Sequence, residues 1–109
     1  MPHIRIRAMS DSAVKSLSST LPVELTKILQ IPEDSFTVEK IATTFYYMGN
    51  VVEGDPMLEV LWFDRGAELQ NICGQKITEL AKAHTKSEFV AVVFTALPKS
   101  HYYENGKHF

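Results

Sequence analysis

The sequence predicts an α+β fold: two tandem β-α-β units forming one four-stranded mixed sheet, with two helices on one of its faces. Three observations predict it. Ile4 and Ile6 alternate with Arg5 and Arg7, the period of two of a strand with one apolar and one wet or ion-paired face. Apolar residues then recur at spacings of three and four, as on an amphipathic helix. Beyond the middle of the chain the same strand, helix, strand order returns, and Glu24-Leu25-Thr26-Lys27 has a local counterpart in Glu79-Leu80-Ala81-Lys82. The 109 residues suffice for one domain, with units at about 2–48 and 56–97 and a tail at 98–109.

The first strand covers residues 3–7 and follows Pro2, a residue tolerated at a strand start. Ser10-Asp11-Ser12 offers helix N-caps, and Val14, Leu17, Leu21, Leu25 and Ile28 form the buried stripe. Pro22 interrupts that stripe and lacks a backbone donor, which predicts a kink or break near Thr20. Residues 36–48, rich in β-branched and aromatic side chains, read as the second strand. Gly49-Asn50 and Gly54-Asp55-Pro56 punctuate the loop that follows. The second unit consists of a strand at 57–63, a turn at Asp64-Arg65-Gly66, a helix carrying Leu69, Ile72, Cys73, Ile77 and Leu80, and a last strand at 89–97.

Two helices cover one sheet face, yet residues 57–63 and 89–94 are nearly continuous apolar runs, typical of strands buried on both faces. The chain holds nothing to cover the second face, so another copy of it is expected there. Composition narrows the function classes. A net charge of -2 provides no basic field for nucleic acid, and no apolar stretch approaches a membrane span. The single cysteine excludes an internal disulfide and fits a reducing cytoplasm, and the chain reads as complete. His3, His84, His101 and His108 lack metal-ligand spacing, and neither a phosphate-binding loop nor a dinucleotide fingerprint is present, so no metal or cofactor is expected.

Pro2 carries the most chemistry. A compact second residue permits removal of Met1, and the exposed prolyl terminus is a secondary amine that acts as a base with no side chain. Burial or a neighbouring cation lowers its pKa toward neutrality by disfavouring the ammonium form. Arg5 and Arg7 either bind an anion near Pro2 or pair with Glu39 and Glu59 on neighbouring strands, and the pairing is the favoured reading. In Trp62-Phe63-Asp64-Arg65, Asp64 is a candidate N-cap of the second helix and Arg65 a candidate partner for a ligand carboxylate, and a plain strand end whose aromatics complete the core is the equal alternative. Tyr102 and Tyr103 belong to a tail that is polar yet aromatic; their hydroxyls suit an enolate oxygen, and docking on a neighbouring subunit is the alternative.

Terminal proline, tandem β-α-β units and an oligomer covering the open face together resemble the tautomerase superfamily, which includes macrophage migration inhibitory factor. Within it the chain is most similar to a small bacterial family of unassigned function, through Met1-Pro2-His3, Leu61-Trp62-Phe63-Asp64-Arg65-Gly66, Phe94-Thr95-Ala96-Leu97 and Tyr102-Tyr103-Glu104-Asn105-Gly106. The resemblance implies a homotrimer, with Pro2 as catalytic base for keto–enol proton transfer on a small carbonyl acid. It also implies that Phe63 and Phe94 line the pocket, Phe94 from across a subunit boundary. The pattern departs in its cations. Gln30-Ile31-Pro32 lacks the lysine that one branch carries there, and residues 10–15 hold no match to the helix arginine of another, which leaves Arg65, Arg5 or Arg7. A non-catalytic trimeric binding module is the competing reading.

Overall fold

The computed structural model describes residues 1–109. Its four-stranded sheet has the order β2-β1-β5-β6. Strand β1 (His3–Arg7) pairs parallel with β2 (Thr37–Lys40) and antiparallel with β5 (Met57–Trp62), while β5 pairs parallel with β6 (Ala91–Ala96). Each β-α-β unit thus contributes a parallel pair, and the two units join through their first strands. The expected mixed sheet is present.

Helix α1 (Asp11–Leu29) starts where Ser10 Oγ accepts the Ala13 N–H at 3.2 Å, and Asp11 adds a favourable charge to its first turn. It ends at Gln30, whose left-handed backbone (φ 56°) lets its N–H reach the Thr26 carbonyl at 2.7 Å. Ala13, Leu17, Leu21, Leu25 and Leu29 recur every four residues and are buried. Each fully buried leucine stabilises the fold by roughly 1.5–3 kcal/mol. Of the kink or break expected at Pro22, the break is overturned, because α1 runs unbroken through it. Ser18, whose carbonyl would have received the missing N–H, lies on the exposed side, where water can satisfy it. Leu21 and Leu25 keep the stripe docked on either side of the proline.

The second strand is also shorter than the sequence suggests. Four residues join the sheet; residues 41–44 then leave it, and β3 (Phe45–Tyr47) folds against β4 (Asn50–Val52) as a separate hairpin. Met48 (φ 51°) and Gly49 (φ 81°) form its two-residue turn, the left-handed pair that matches strand twist in a tight hairpin. Gly49-Asn50 therefore reverses a hairpin where a loop was expected.

Helix α2 (Ala67–Lys82) buries Cys73, Ile77 and Ala81. With α1 it covers the face formed by Ile4, Ile6, Leu58, Val60 and Trp62, all at most 2% exposed. The other face carries an ionic ladder that the register dictates. Arg5 lies opposite Glu39 on one side and Glu59 on the other, at 2.9 and 3.4 Å, and Arg7 reaches Glu59 at 3.8 Å. The arginines are therefore engaged with glutamates, as the favoured reading has it. Beside the ladder, Met57 and Val93 stay 38% and 42% exposed, so the chain alone leaves this face open.

Candidate functional site

Pro2 is less than 2% exposed, and its carbonyl accepts the Thr37 N–H at 3.2 Å, which ties it to the start of β2. One residue outward, the Met1 amine donates to the Ser35 carbonyl at 2.7 Å. The terminus is thus fixed in depth at one end of the sheet. It faces a cavity of about 560 Å³ whose floor is the 31–37 loop and whose walls are residues just after β5 and the tail.

The tail closes this cavity because it is itself a hairpin. Strands β7 (Tyr103–Glu104) and β8 (Lys107–His108) pair across Asn105 (φ 53°) and Gly106 (φ 85°), and Phe109 returns its N–H to the Lys99 and Tyr102 carbonyls at 3.2 and 3.1 Å. Phe63, Tyr102 and Phe109 then form an aromatic wall. Tyr102 stands edge-on to both phenylalanines, at 5.4 and 5.1 Å between ring centres, and the two phenylalanines lie 5.4 Å apart. Lys99 Nζ sits 5.7 Å from the Phe63 ring centre, a cation–π contact that leaves its ammonium at the cavity.

Four charged side chains line the same space: Asp34, Arg65, Lys99 and Glu104. Burial is the main influence on the terminal amine and lowers its pKa; Glu104 opposes this and Arg65 adds to it. The amine therefore releases its proton at lower pH than an exposed terminus. Arg65 also bears on Cys73, though there burial dominates and pushes the thiol up. No three His, Cys, Asp or Glu side chains converge anywhere in the chain. No helix is long and apolar enough to cross a membrane.

The structure brings Phe63, Arg65 and Tyr102 together beside the terminus and places the other candidates elsewhere. Asp64 does not cap α2, which begins after Gly66; its carboxylate accepts the Gly66 N–H at 2.9 Å and holds the preceding turn. Tyr103 is 62% exposed and meets the His108 ring edge-on. Phe94 packs on Trp62 at 4.8 Å on the helix side of β6 and is not among the residues lining this cavity. Lys99, Glu104 and Phe109 escaped the sequence reading as members of the site. The signal for them was Asn105-Gly106, the strongest short hairpin turn in the sequence, which folds the tail back on its own chain.

This geometry has relatives. The sequence profile of the Domain of unknown function (DUF1904) matches residues 1–108. The chain belongs to the DUF1904 family. A DUF1904 domain from Sebaldella termitidis ATCC 33386 is 39% identical, with all of both chains covered and a TM-score of 0.93. The fold extends further. A macrophage migration inhibitory factor-like protein of Entamoeba histolytica superposes at TM-score 0.77 and 12% identity, covering 99% of this chain and 98% of that one. A fused 4-OT asymmetric trimer superposes at TM-score 0.85 and 12% identity, covering 98% and 95%. The DUF1904 chain thus has the fold of the tautomerase superfamily. No protein of curated function matches it in sequence.

Proposed function

We propose that this DUF1904 protein is a tautomerase-like proton-transfer catalyst that acts once Met1 has been removed. The observation that carries the reading is Pro2 itself: fully buried at the head of β1, one residue behind a cavity that holds Arg65, Lys99 and Tyr102. In the processed chain the prolyl nitrogen takes a proton from the carbon alpha to a carbonyl and the carbonyl oxygen gains one, giving the enol; in the reverse direction it takes the enol proton and delivers it to that carbon. Arg65, Lys99 and Tyr102 donate to the oxygen on which charge develops and to a substrate carboxylate. Aromatic side chains beside those cations favour a small carbonyl acid with an apolar body. Desolvation at the head of β1 would lower the prolyl amine's pKa, as burial does for the Met1 amine, and the rate would then fall as pH drops and the nitrogen protonates.

The same reading makes the protein a homotrimer working in the cytoplasm. The open face beside the ionic ladder and the exposed β3–β4 hairpin support assembly, and the fused 4-OT neighbour is itself described as a trimer. The free Cys73 suits a reducing compartment.

A specific contact favours the rival reading, a binding module with no catalysis. Met1 has its own hydrogen bond to Ser35 and a share of the cavity wall, and while it remains Pro2 is an amide with no basic nitrogen. The intact mass of untagged protein decides between them. Loss of Met1 is the expected result; complete retention ends the enzymatic reading and leaves the binding module.

A further inference from the structure

The head of β1 holds the terminus by more than packing. The Met1 amine is taken up by the Ser35 carbonyl at 2.7 Å, Pro2 is less than 2% exposed, and the Pro2 carbonyl accepts the Thr37 N–H at 3.2 Å. From His3 onward the chain is paired on both sides, parallel with β2 and antiparallel with β5, and Ile4 is wholly buried. The Met1–Pro2 bond is therefore set between a bound amine and an inner strand of the sheet. We infer that Met1 can be removed only before β1 enters the sheet, so that whether Pro2 becomes a free amine is decided during synthesis and is fixed once the chain has folded. This deepens the catalytic reading by naming what controls its base, and its consequence for activity rests on that reading.

Removal is a hydrolysis. Water adds its hydroxyl to the Met1 carbonyl carbon, the C–N bond to Pro2 breaks, and the proline nitrogen leaves with a proton as a secondary amine. An aminopeptidase that does this has to grip the free amine and reach the Met1 carbonyl with the next residue seated in its own cleft. Here the amine is engaged and that next residue is buried. Freeing them means giving up the Ser35 and Thr37 bonds and exposing Pro2 at the start of an inner strand, and openings of this kind are rare beside those of loops and chain ends that nothing ties down. Cleavage that waits on them proceeds only in proportion to the open population. Before folding nothing holds the terminus. The two glutamates that Arg5 meets across the sheet, Glu39 and Glu59, lie 34 and 54 positions further along the chain. At roughly 5–20 residues per second β5 follows β1 by about 3–11 s, and until then the amine is free to be trimmed.

The test separates synthesis from folding. The untagged chain is made by cell-free translation with methionine aminopeptidase present from the start, or without it, the enzyme then being added to the folded product; intact mass reports the loss of one methionine. A synthetic peptide of residues 1–12 gives the rate for an unfolded terminus. Enzyme present during synthesis should trim the chain completely. Added afterwards, it should act at least about 10³-fold more slowly than on the peptide, the lower end of the range set by the folding equilibria of small domains. Thr37→Pro removes the N–H that ties down Pro2, at a strand start that accepts proline, and after folding should be trimmed several-fold faster than the wild type. A thermal melt shows whether that variant is folded; if it is not, the wild-type comparison alone decides. Trimming of the folded wild type as fast as the peptide, or of folded Thr37→Pro no faster than the wild type, overturns the inference and leaves the catalytic reading standing. Survival of Met1 with the enzyme present during synthesis also overturns it, and that outcome alone ends the catalytic reading as well.

Discussion

The two hairpins of this chain share a turn and differ in what they cover. Met48-Gly49 and Asn105-Gly106 each place two residues in left-handed backbone, with φ of 51° and 81° in one and 53° and 85° in the other. The tail hairpin spends its aromatic residues on its own chain, walling the cavity beside Met1 through Phe63, Tyr102 and Phe109. The β3–β4 hairpin leaves Tyr46, Tyr47, Met48 and Val51 at 69%, 70%, 81% and 68% exposure. The same turn conformation, made by Met-Gly in one and Asn-Gly in the other, thus yields a lid at one end of the molecule and an unpartnered apolar arm at the other. The difference teaches that the turn sets the shape of a hairpin, whereas the residues within reach of its side chains decide its role. The lid finds Phe63; the arm finds nothing in its own chain that buries it.

That contrast is open to attack at both ends. The largest effect is expected at the arm. Replacing Tyr46 and Tyr47 with serine removes two exposed aromatics of the kind that anchor interfaces, each worth about 2 kcal/mol or more when central. Sedimentation equilibrium should show the proposed trimer dissociating at concentrations where the wild type stays assembled. A wild type that is monomeric at micromolar concentration would remove the partner the arm needs. At the lid, Phe109→Ala deletes two ring contacts, each worth about 0.5–1.5 kcal/mol, and should lower the thermal midpoint slightly while raising KM for a carbonyl acid more than it lowers kcat. An equal loss of kcat would make the tail part of the chemistry.

Smaller still is the cost of the turns. Gly49→Ala and Gly106→Ala place a Cβ in open space, so steric clash contributes nothing and the left-handed backbone alone costs about 1–2 kcal/mol at each site. Chemical denaturation should give similar losses for the two, since the turns match; a much larger loss at Gly106 would show that lid and core unfold together. The smallest change expected is at Cys73. Burial raises the thiol's pKa, so it stays protonated at pH 8, and a thiol reagent should label it only on unfolding. Rapid labelling of native protein would mean that α2 opens locally.

Sequence made the sheet, both helices and the ionic ladder legible because each rests on a short-range period: Ile4 and Ile6 against Arg5 and Arg7, or the stripe of Leu17, Leu21 and Leu25, although Ala13 and Leu29 complete its buried line where Val14 and Ile28 were expected. The errors arose where tertiary packing outvoted local preference. Pro22 carries a strong local penalty, yet the docked leucines around it keep α1 intact. The β-rich run at 36–48 looks continuous, but only four of its residues find a sheet partner in β1, and the rest turn on themselves at Met48-Gly49. Part of the candidate site was readable for the same reason. Pro2, Phe63 and Arg65 sit at strand ends whose order is predictable, whereas Lys99, Glu104 and Phe109 reach the cavity only because a hairpin folds back, a long-range fact that Asn105-Gly106 hinted at and residue type alone did not.

The central claim is that the nitrogen of Pro2 is the base. It is tested most directly by the rate of enol-to-keto conversion of an aryl enolpyruvate by processed protein and by its Pro2→Ala variant, with assembly checked in parallel. The variant should lose about 10²–10⁴-fold in rate, the range for a missing general base, with the oligomer unchanged. Equal rates in the two proteins would contradict it.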